Sequence, residues 1–321
     1  MITIICGDAL EILKALPDET VQTCVTSPPY YRLRDYGVSG QIGRENTSAE
    51  YIEHLVSVFH EVRRVLKKDG TLWLNIADSY ASSGKGIYRR KSKQVYTAMT
   101  KCWEGIKAKD MIGIPWALAF ALRADGWYLR SDIIWHKPNC LPEPLKDRPT
   151  KSYEHIFLLS KSPQYYYDHE AIMEPLAEST VKRYQRRVSP DTKYAKCLPN
   201  QPNRQRIFEP RAYTDAPPMR NKRDVWCVSA NTYRTNIHFA VFPEKLIEPC
   251  ILAGSPIDGI VLDPFCGSGT TGAVSKRLKR SFIGIDLNSE YCRMAKSRIE
   301  AVNESMLSIQ TGGVHVGSEN Q

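Results

Sequence analysis

The sequence predicts an α/β protein organised around a buried, mostly parallel sheet, and three observations predict it. Short apolar runs alternate with helical stretches, the runs are apolar throughout rather than at every second residue, and one of them enters a glycine-rich turn that opens a helix. The first third gives strand 2–5, helix 9–16, strand 21–25, helix 49–66 and strand 72–76. Apolar residues at 55, 58, 59, 62, 65 and 66 put one face of the longer helix inward, and Lys67, Lys68 and Gly70 close it with cations and a glycine.

Residues 82–109 break the rhythm with eight Lys or Arg against one Glu and no periodicity, which reads as a long basic loop. Helix 115–124 and strands 132–136 and 155–159 follow. From 168 to 236 the chain is again aperiodic and rich in Pro, Arg and Tyr, with strings such as Lys182-Arg183-Tyr184-Gln185-Arg186-Arg187, and is expected to be an inserted domain. Helix 244–253, strand 260–262, helix 271–278, strand 281–285 and helix 290–304 resume the α/β order. The expected divisions are therefore 1–167, carrying the basic loop, the insert 168–236, a second half 237–305, and a disordered polar tail 306–321.

A chain of 321 residues with 42% hydrophobic content can bury one large core, with or without a smaller appended unit. Its net charge of +9 and pI near 9.0 favour a polyanionic partner if the excess clusters on one face. No apolar run reaches the roughly 20 residues that span a bilayer, and the amino end has no basic region before Asp8, so a cytoplasmic protein is expected. Nine scattered cysteines without a C-x-x-C pair imply reduced thiols and no metal site.

Two segments carry chemistry. Residues 260–271 run from a strand through Asp263-Pro264-Phe265-Cys266-Gly267-Ser268-Gly269 into a helix beginning near Thr270, and Asp286 closes the next strand 17 residues beyond Gly269, close to the spacing of about 20 at which a carboxylate grips a ribose diol. Taken alone, the glycines also suit a tight turn with no ligand. No Lys follows Gly269, which excludes a P-loop, and the third glycine, Gly272, comes one residue late for a dinucleotide fingerprint. Asp263 would repel a pyrophosphate but suits a cofactor bearing a sulfonium and an amine, as S-adenosylmethionine does.

The run 21–25 ends in Thr26-Ser27-Pro28-Pro29-Tyr30, where two prolines force the chain out of the sheet at the carboxyl edge that holds ligands in α/β folds. The Ser27 hydroxyl and Pro28 carbonyl can serve as acceptors, beside the aromatic plane of Tyr30. Two acceptors would hold an exocyclic NH2 by its two donors and orient its lone pair for attack on a methyl group. A lone S-P-P-Y is as readily a plain strand-ending turn; its joint occurrence with the glycine loop is what makes it specific.

Together these strings resemble the motifs of bacterial and phage amino-DNA methyltransferases. Gly7-Asp8-Ala9-Leu10, the stretch from Asp69 to Asn75, Ile134-Trp135-His136-Lys137-Pro138-Asn139 and the stretch from His238 to Pro243 match as well. The resemblance spans roughly 2–165 and 220–300, with the catalytic motif ahead of the glycine loop, the circularly permuted β-type order. It implies a Rossmann-like, doubly wound sheet of seven strands with one antiparallel, S-adenosylmethionine as cofactor, and transfer of its methyl to N4 of cytosine or N6 of adenine, with cytosine favoured by Ser27. It further implies Asp8 on the cofactor adenine, Asp286 on its ribose, and Phe265, Gly267 and Gly269 on its methionyl side, with Asp263 and Thr270 completing the cofactor set. Ser27, Pro28, Pro29 and Tyr30 form the catalytic set, Tyr30 stacking on a base flipped out of duplex DNA.

The basic loop and the insert would grip phosphates and read base edges. Competing readings are an RNA or protein-amide methyltransferase, which usually carries Asn at position 27, and a catalytically silent DNA-binding regulator. A cognate restriction enzyme, the recognition sequence and the oligomeric state, with a homodimer as one option, are left open.

Overall fold

The structure is a computed structural model in which residues 1–81, 105–185, 219–230 and 242–302 are described. Most of the basic loop, most of the insert and the whole tail 306–321 lie outside the described residues, as do residues 238–241 of one matching stretch. In chain order the elements are β1 (Ile2–Cys6), α1 (Ala9–Ala15), β2 (Val21–Thr26), α2 (Ser48–Val65), β3 (Leu66–Ile76), α3 (Ile114–Ala124), β4 (Tyr128–His136), β5 (Tyr153–Ser160), β6 (Glu174–Pro175), α4 (Glu178–Gln185), β7 (Met219–Arg220), β8 (Val225–Cys227), α5 (Glu244–Gly254), β9 (Ile260–Asp263), α6 (Thr270–Arg277), β10 (Ser281–Asp286) and α7 (Ser289–Glu300).

The sheet runs β1-β10-β9-β2-β3-β5-β4-β8. Only β5 is antiparallel to its neighbours β3 and β4; every other pair in that sheet is parallel. β2 is buried along its whole length, which is why its sequence does not alternate. Helices α1, α2 and α3 pack on one another as one layer, and α5, α6 and α7 as another, the arrangement of a doubly wound sheet. The expected seven strands are all present. β8 is an eighth, three residues long, paired with β4 through Trp226, a residue only 6% exposed.

Local chemistry explains the boundaries. Thr47 and Glu50 form a reciprocal capping box that starts α2. Strand β3 then begins at Leu66 without a loop: Val21 pairs with Leu66 and Thr23 with Thr71, so the Lys67 to Gly70 stretch, expected only to end the helix, is an irregular entry into the strand. The Asp78 carboxylate accepts the Gly113 and Ile114 N–H groups at 2.9 and 3.1 Å and thereby caps α3 from a distance.

The chain divides into two compact units, Met1–Asp168 with Arg223–Gln321, and His169–Lys222. Residues 223–230, read from sequence as insert, fall with the first unit because β8 joins its sheet. Within the second unit, β6 and β7 pair antiparallel, and Arg220 lies 2.9 Å from the Glu174 carboxylate.

Candidate active site

Strands β2 and β9 are neighbours, with Cys24 opposite Leu262, so Ser27-Pro28-Pro29-Tyr30 and the glycine loop leave the sheet side by side. A buried carboxylate joins them. Asp263, 2% exposed, accepts the Thr26 hydroxyl on Oδ1 and the Thr271 hydroxyl on Oδ2, each at 2.6 Å, and the Phe265 N–H on Oδ1 at 3.1 Å. Burial raises its carboxyl to about 6, against those three donors. Its oxygens are engaged within the protein, and it ties the end of β2 to the start of α6.

The two glycines of the loop differ. Gly269 has φ +78°, and a Cβ there would meet Ala295 Cα and Cβ at 2.9 Å, so it admits close approach of α7. Gly267 has φ +50°, but a Cβ on it would find no heavy atom within 4 Å. That open space is where a ligand can meet backbone. The Gly267 N–H donates to Asp286 Oδ2 at 2.9 Å and the Asn288 N–H to Asp286 Oδ1 at 2.8 Å. Burial raises the Asp286 carboxyl while those two donors oppose it. Because β1 pairs β10 with Cys6 opposite Asp286, the exposed Asp8 emerges beside Asp286, where its Oδ1 also caps α1 by accepting the Glu11 N–H at 3.0 Å. Phe265 is half-buried, edge-on to Phe59 at 6.4 Å.

Thr270, the first residue of α6, is anchored from α7. It is 3% exposed and its hydroxyl accepts from Arg298 at 2.8 Å, while Arg298 also donates to Glu244 at 2.9 Å. Thr270 thereby braces the loop against α7. The Cys266 thiol is pushed up by burial.

The S-P-P-Y turn is held from several sides. The Tyr51 hydroxyl donates to the Pro29 carbonyl at 2.8 Å, whereas no described residue donates to the carbonyl of Pro28. The Arg32 N–H donates to the Gly43 carbonyl at 2.8 Å, folding the following loop back over the turn, and Tyr36 on that loop meets Tyr291 of α7 edge to face at 6.3 Å. Tyr30 donates to Glu154 Oε2 at 2.7 Å and has Asn75 Oδ1 at 3.2 Å, while the Ser27 hydroxyl donates to the Tyr30 oxygen at 3.3 Å. Glu154 is in turn paired with Lys137. Burial first, and the Glu154 charge second, push the Tyr30 phenol well above its usual range.

Sequence reasoning brought Ser27, Tyr30, Gly267 and Asp286 to one edge correctly but did not single out Glu154, Tyr36 or Tyr291. Trp135 is 3% exposed and donates to the Val228 carbonyl at 2.7 Å.

A family model of N6/N4 DNA methylases matches residues 21–297. The chain is 47% identical over 299 residues to the type II methyltransferase M.SmaI of Serratia marcescens, covering 92% of this chain and 90% of that one. It is 43% identical to M.Cfr9I of Citrobacter freundii, covering 96% and 90%. The structure resembles PvuII DNA methyltransferase (cytosine-N4-specific) with a TM-score of 0.61 at 20% identity, over 94% of this chain and 88% of that one. It resembles a complex of M1.HpyAVI with SAM with a TM-score of 0.53 at 19% identity, over 93% and 99%.

Proposed function

The chain belongs to the N6/N4 DNA methylase family, and from that premise we propose which of its residues perform methyl transfer and which base receives it. The protein is a DNA amino-methyltransferase whose cofactor is S-adenosylmethionine. The observation that carries the site assignment is the 2.6 Å bond between Thr26 and Asp263, which fixes an acceptor-bearing turn beside a glycine loop with open space at Gly267.

The residues present suit the cofactor. Gly267 offers bare backbone, while Asp286 and Asp8 place carboxylates at adjoining strand ends for a ribose diol and an adenine amine. When bound, S-adenosylmethionine supplies an electrophilic methyl on a sulfonium. The protein holds the nucleophile. Ser27 Oγ and the Pro28 carbonyl accept the two N–H bonds of the exocyclic amine, so that its lone pair is enriched and directed at the methyl. Tyr30 gives the flipped base an aromatic face, and its hydroxyl is anchored on Glu154 so that the ring stays in place.

We assign the target as cytosine N4, on the serine of Ser27-Pro28-Pro29-Tyr30, and assign recognition of the DNA sequence to the segment 168–236, whose arginines supply phosphate and base-edge contacts. Methylation takes place in the cytoplasm of a bacterial or phage-infected cell. Labelled methyl from S-adenosylmethionine, offered to duplex DNA, RNA of the same sequence and a protein extract, tests the assignment. Label in duplex DNA alone is expected; label in RNA or protein would reverse the substrate class.

A further inference from the structure

Glu154, the second residue of β5, has a side chain 13% exposed, between an ammonium and a phenol. Lys137 donates to its Oε1. An ionised carboxylate only accepts hydrogen bonds. The Tyr30 hydroxyl has two acceptors in reach, Glu154 Oε2 at 2.7 Å and Asn75 Oδ1 at 3.2 Å, and the shorter bond, to the carboxylate, takes its proton, while Asn75 Nδ2 donates to the same Oε2 at 3.2 Å. With its own proton committed, the Tyr30 oxygen offers a lone pair to Ser27, whose Oγ lies 3.3 Å away. Each hydroxyl in the chain Ser27, Tyr30, Glu154 is thereby given one direction.

We propose that Glu154 is a positioning residue that, acting through Tyr30, turns the Ser27 hydroxyl proton away from the substrate and makes the Ser27 oxygen an acceptor for the target amine. The inference rests on the assignment of Ser27 as the amine's acceptor. It answers a difficulty peculiar to serine at this position: a hydroxyl can donate or accept, and a donor facing an NH2 group would repel it, whereas a carboxylate would need no such orientation. Asn75 is held in the same network by donating to the His155 carbonyl at 3.1 Å, so the acceptor end of the relay is itself rigid.

The test measures kcat and the KM for cofactor and for DNA in Glu154→Gln, Tyr30→Phe, the double variant and Ser27→Ala. Glu154→Gln can offer Tyr30 either a donor or an acceptor, so the relay loses its direction, and kcat is expected to fall by about tenfold to a hundredfold with each KM held within about twofold. Added to Tyr30→Phe, which removes the link and keeps the ring, Glu154→Gln should cost less than about threefold more. A wild-type kcat for Glu154→Gln, or losses that multiply in the double variant, overturns the proposal. Should Glu154→Gln not fold, a wild-type kcat for Tyr30→Phe overturns it equally. Ser27→Ala separates the two layers: a wild-type rate there removes the catalytic assignment of the turn itself. A crippled Ser27→Ala beside an unaffected Glu154→Gln removes only the relay.

Discussion

Thr26 and Asp263, 237 residues apart in the chain, are joined by a 2.6 Å hydrogen bond. Thr26 is the last residue of the strand that leads into Ser27-Pro28-Pro29-Tyr30, and Asp263 the last of the strand that leads into the glycine loop. Thr271, on the first turn of α6, takes the other carboxylate oxygen at 2.6 Å. One buried carboxylate therefore fixes the end of β2 against the start of α6, and on the proposed assignment this sets the separation between nucleophile and methyl donor, on which in-line transfer depends steeply.

The same burial makes Asp263 sensitive to pH. Its carboxyl is raised to about 6 from 3.8, so the folded protein holds that proton more tightly than the unfolded chain. The stabilisation is fully present below the unfolded value and is lost as pH rises through about 6, by roughly 3 kcal/mol for two units. Urea unfolding of wild type and Asp263→Asn across pH 4 to 7 is expected to show a steeper decline for wild type. Parallel curves would mean that Asp263 is not titrating in that window.

Asp286→Ala is expected to weaken S-adenosylmethionine binding at least about tenfold, or 1.4 kcal/mol, by removing a charge-assisted bond to the ribose. Asp286 also receives the Gly267 and Asn288 N–H groups, so part of the loss comes from a slackened loop. Asp286→Asn retains an acceptor and should lose less. Calorimetric titration measures both, and an unchanged affinity for Asp286→Ala rejects the ribose assignment.

The paired glycines are expected to fail in opposite ways. Gly269→Ala forces a Cβ to 2.9 Å from Ala295 at positive φ, and should destabilise the fold by about 2 to 4 kcal/mol. Gly267→Ala meets no neighbour and should cost only about 1 to 2 kcal/mol from its φ, while its methyl intrudes on the ligand's space. Thermal unfolding alongside cofactor titration would show a larger Tm loss for Gly269→Ala and a larger affinity loss for Gly267→Ala. The reverse ranking would place the ligand elsewhere.

What the sequence disclosed follows from where the information is local. Strands buried on both faces are written as continuous apolar runs, and a glycine turn after Asp263 is contiguous, so β2, β9 and the loop were legible. Glu154 was not. It is one carboxylate in the strand Tyr153-Glu154-His155-Ile156, and only the sheet brings it to Tyr30, 124 residues away. The bonds of Asp263 to Thr26 and Thr271 were not legible either, because they require three strand and helix ends to converge, whereas charge complementarity to a cation is visible in sequence. β8 is too short to show a period, and lies in a segment dominated by polar residues.

The base that receives the methyl is the remaining prediction. Cytosine and adenine present the same two amino donors, so Ser27 Oγ and the Pro28 carbonyl serve either, and the chemistry of transfer alone does not separate them. What favours cytosine N4 is serine at position 27 in the string Val25-Thr26-Ser27-Pro28-Pro29-Tyr30, since adenine-N6 enzymes of the family more often carry Asp or Asn there. The relay through Tyr30 and Glu154 agrees with that choice to the extent that it supplies the acceptor polarity a carboxylate would otherwise bring. DNA methylated by the protein, digested to nucleosides and analysed by mass spectrometry, is expected to yield N4-methylcytosine. N6-methyladenine as the sole product would overturn the assignment of the base while leaving the turn, the loop and the methyl-transfer reaction as described.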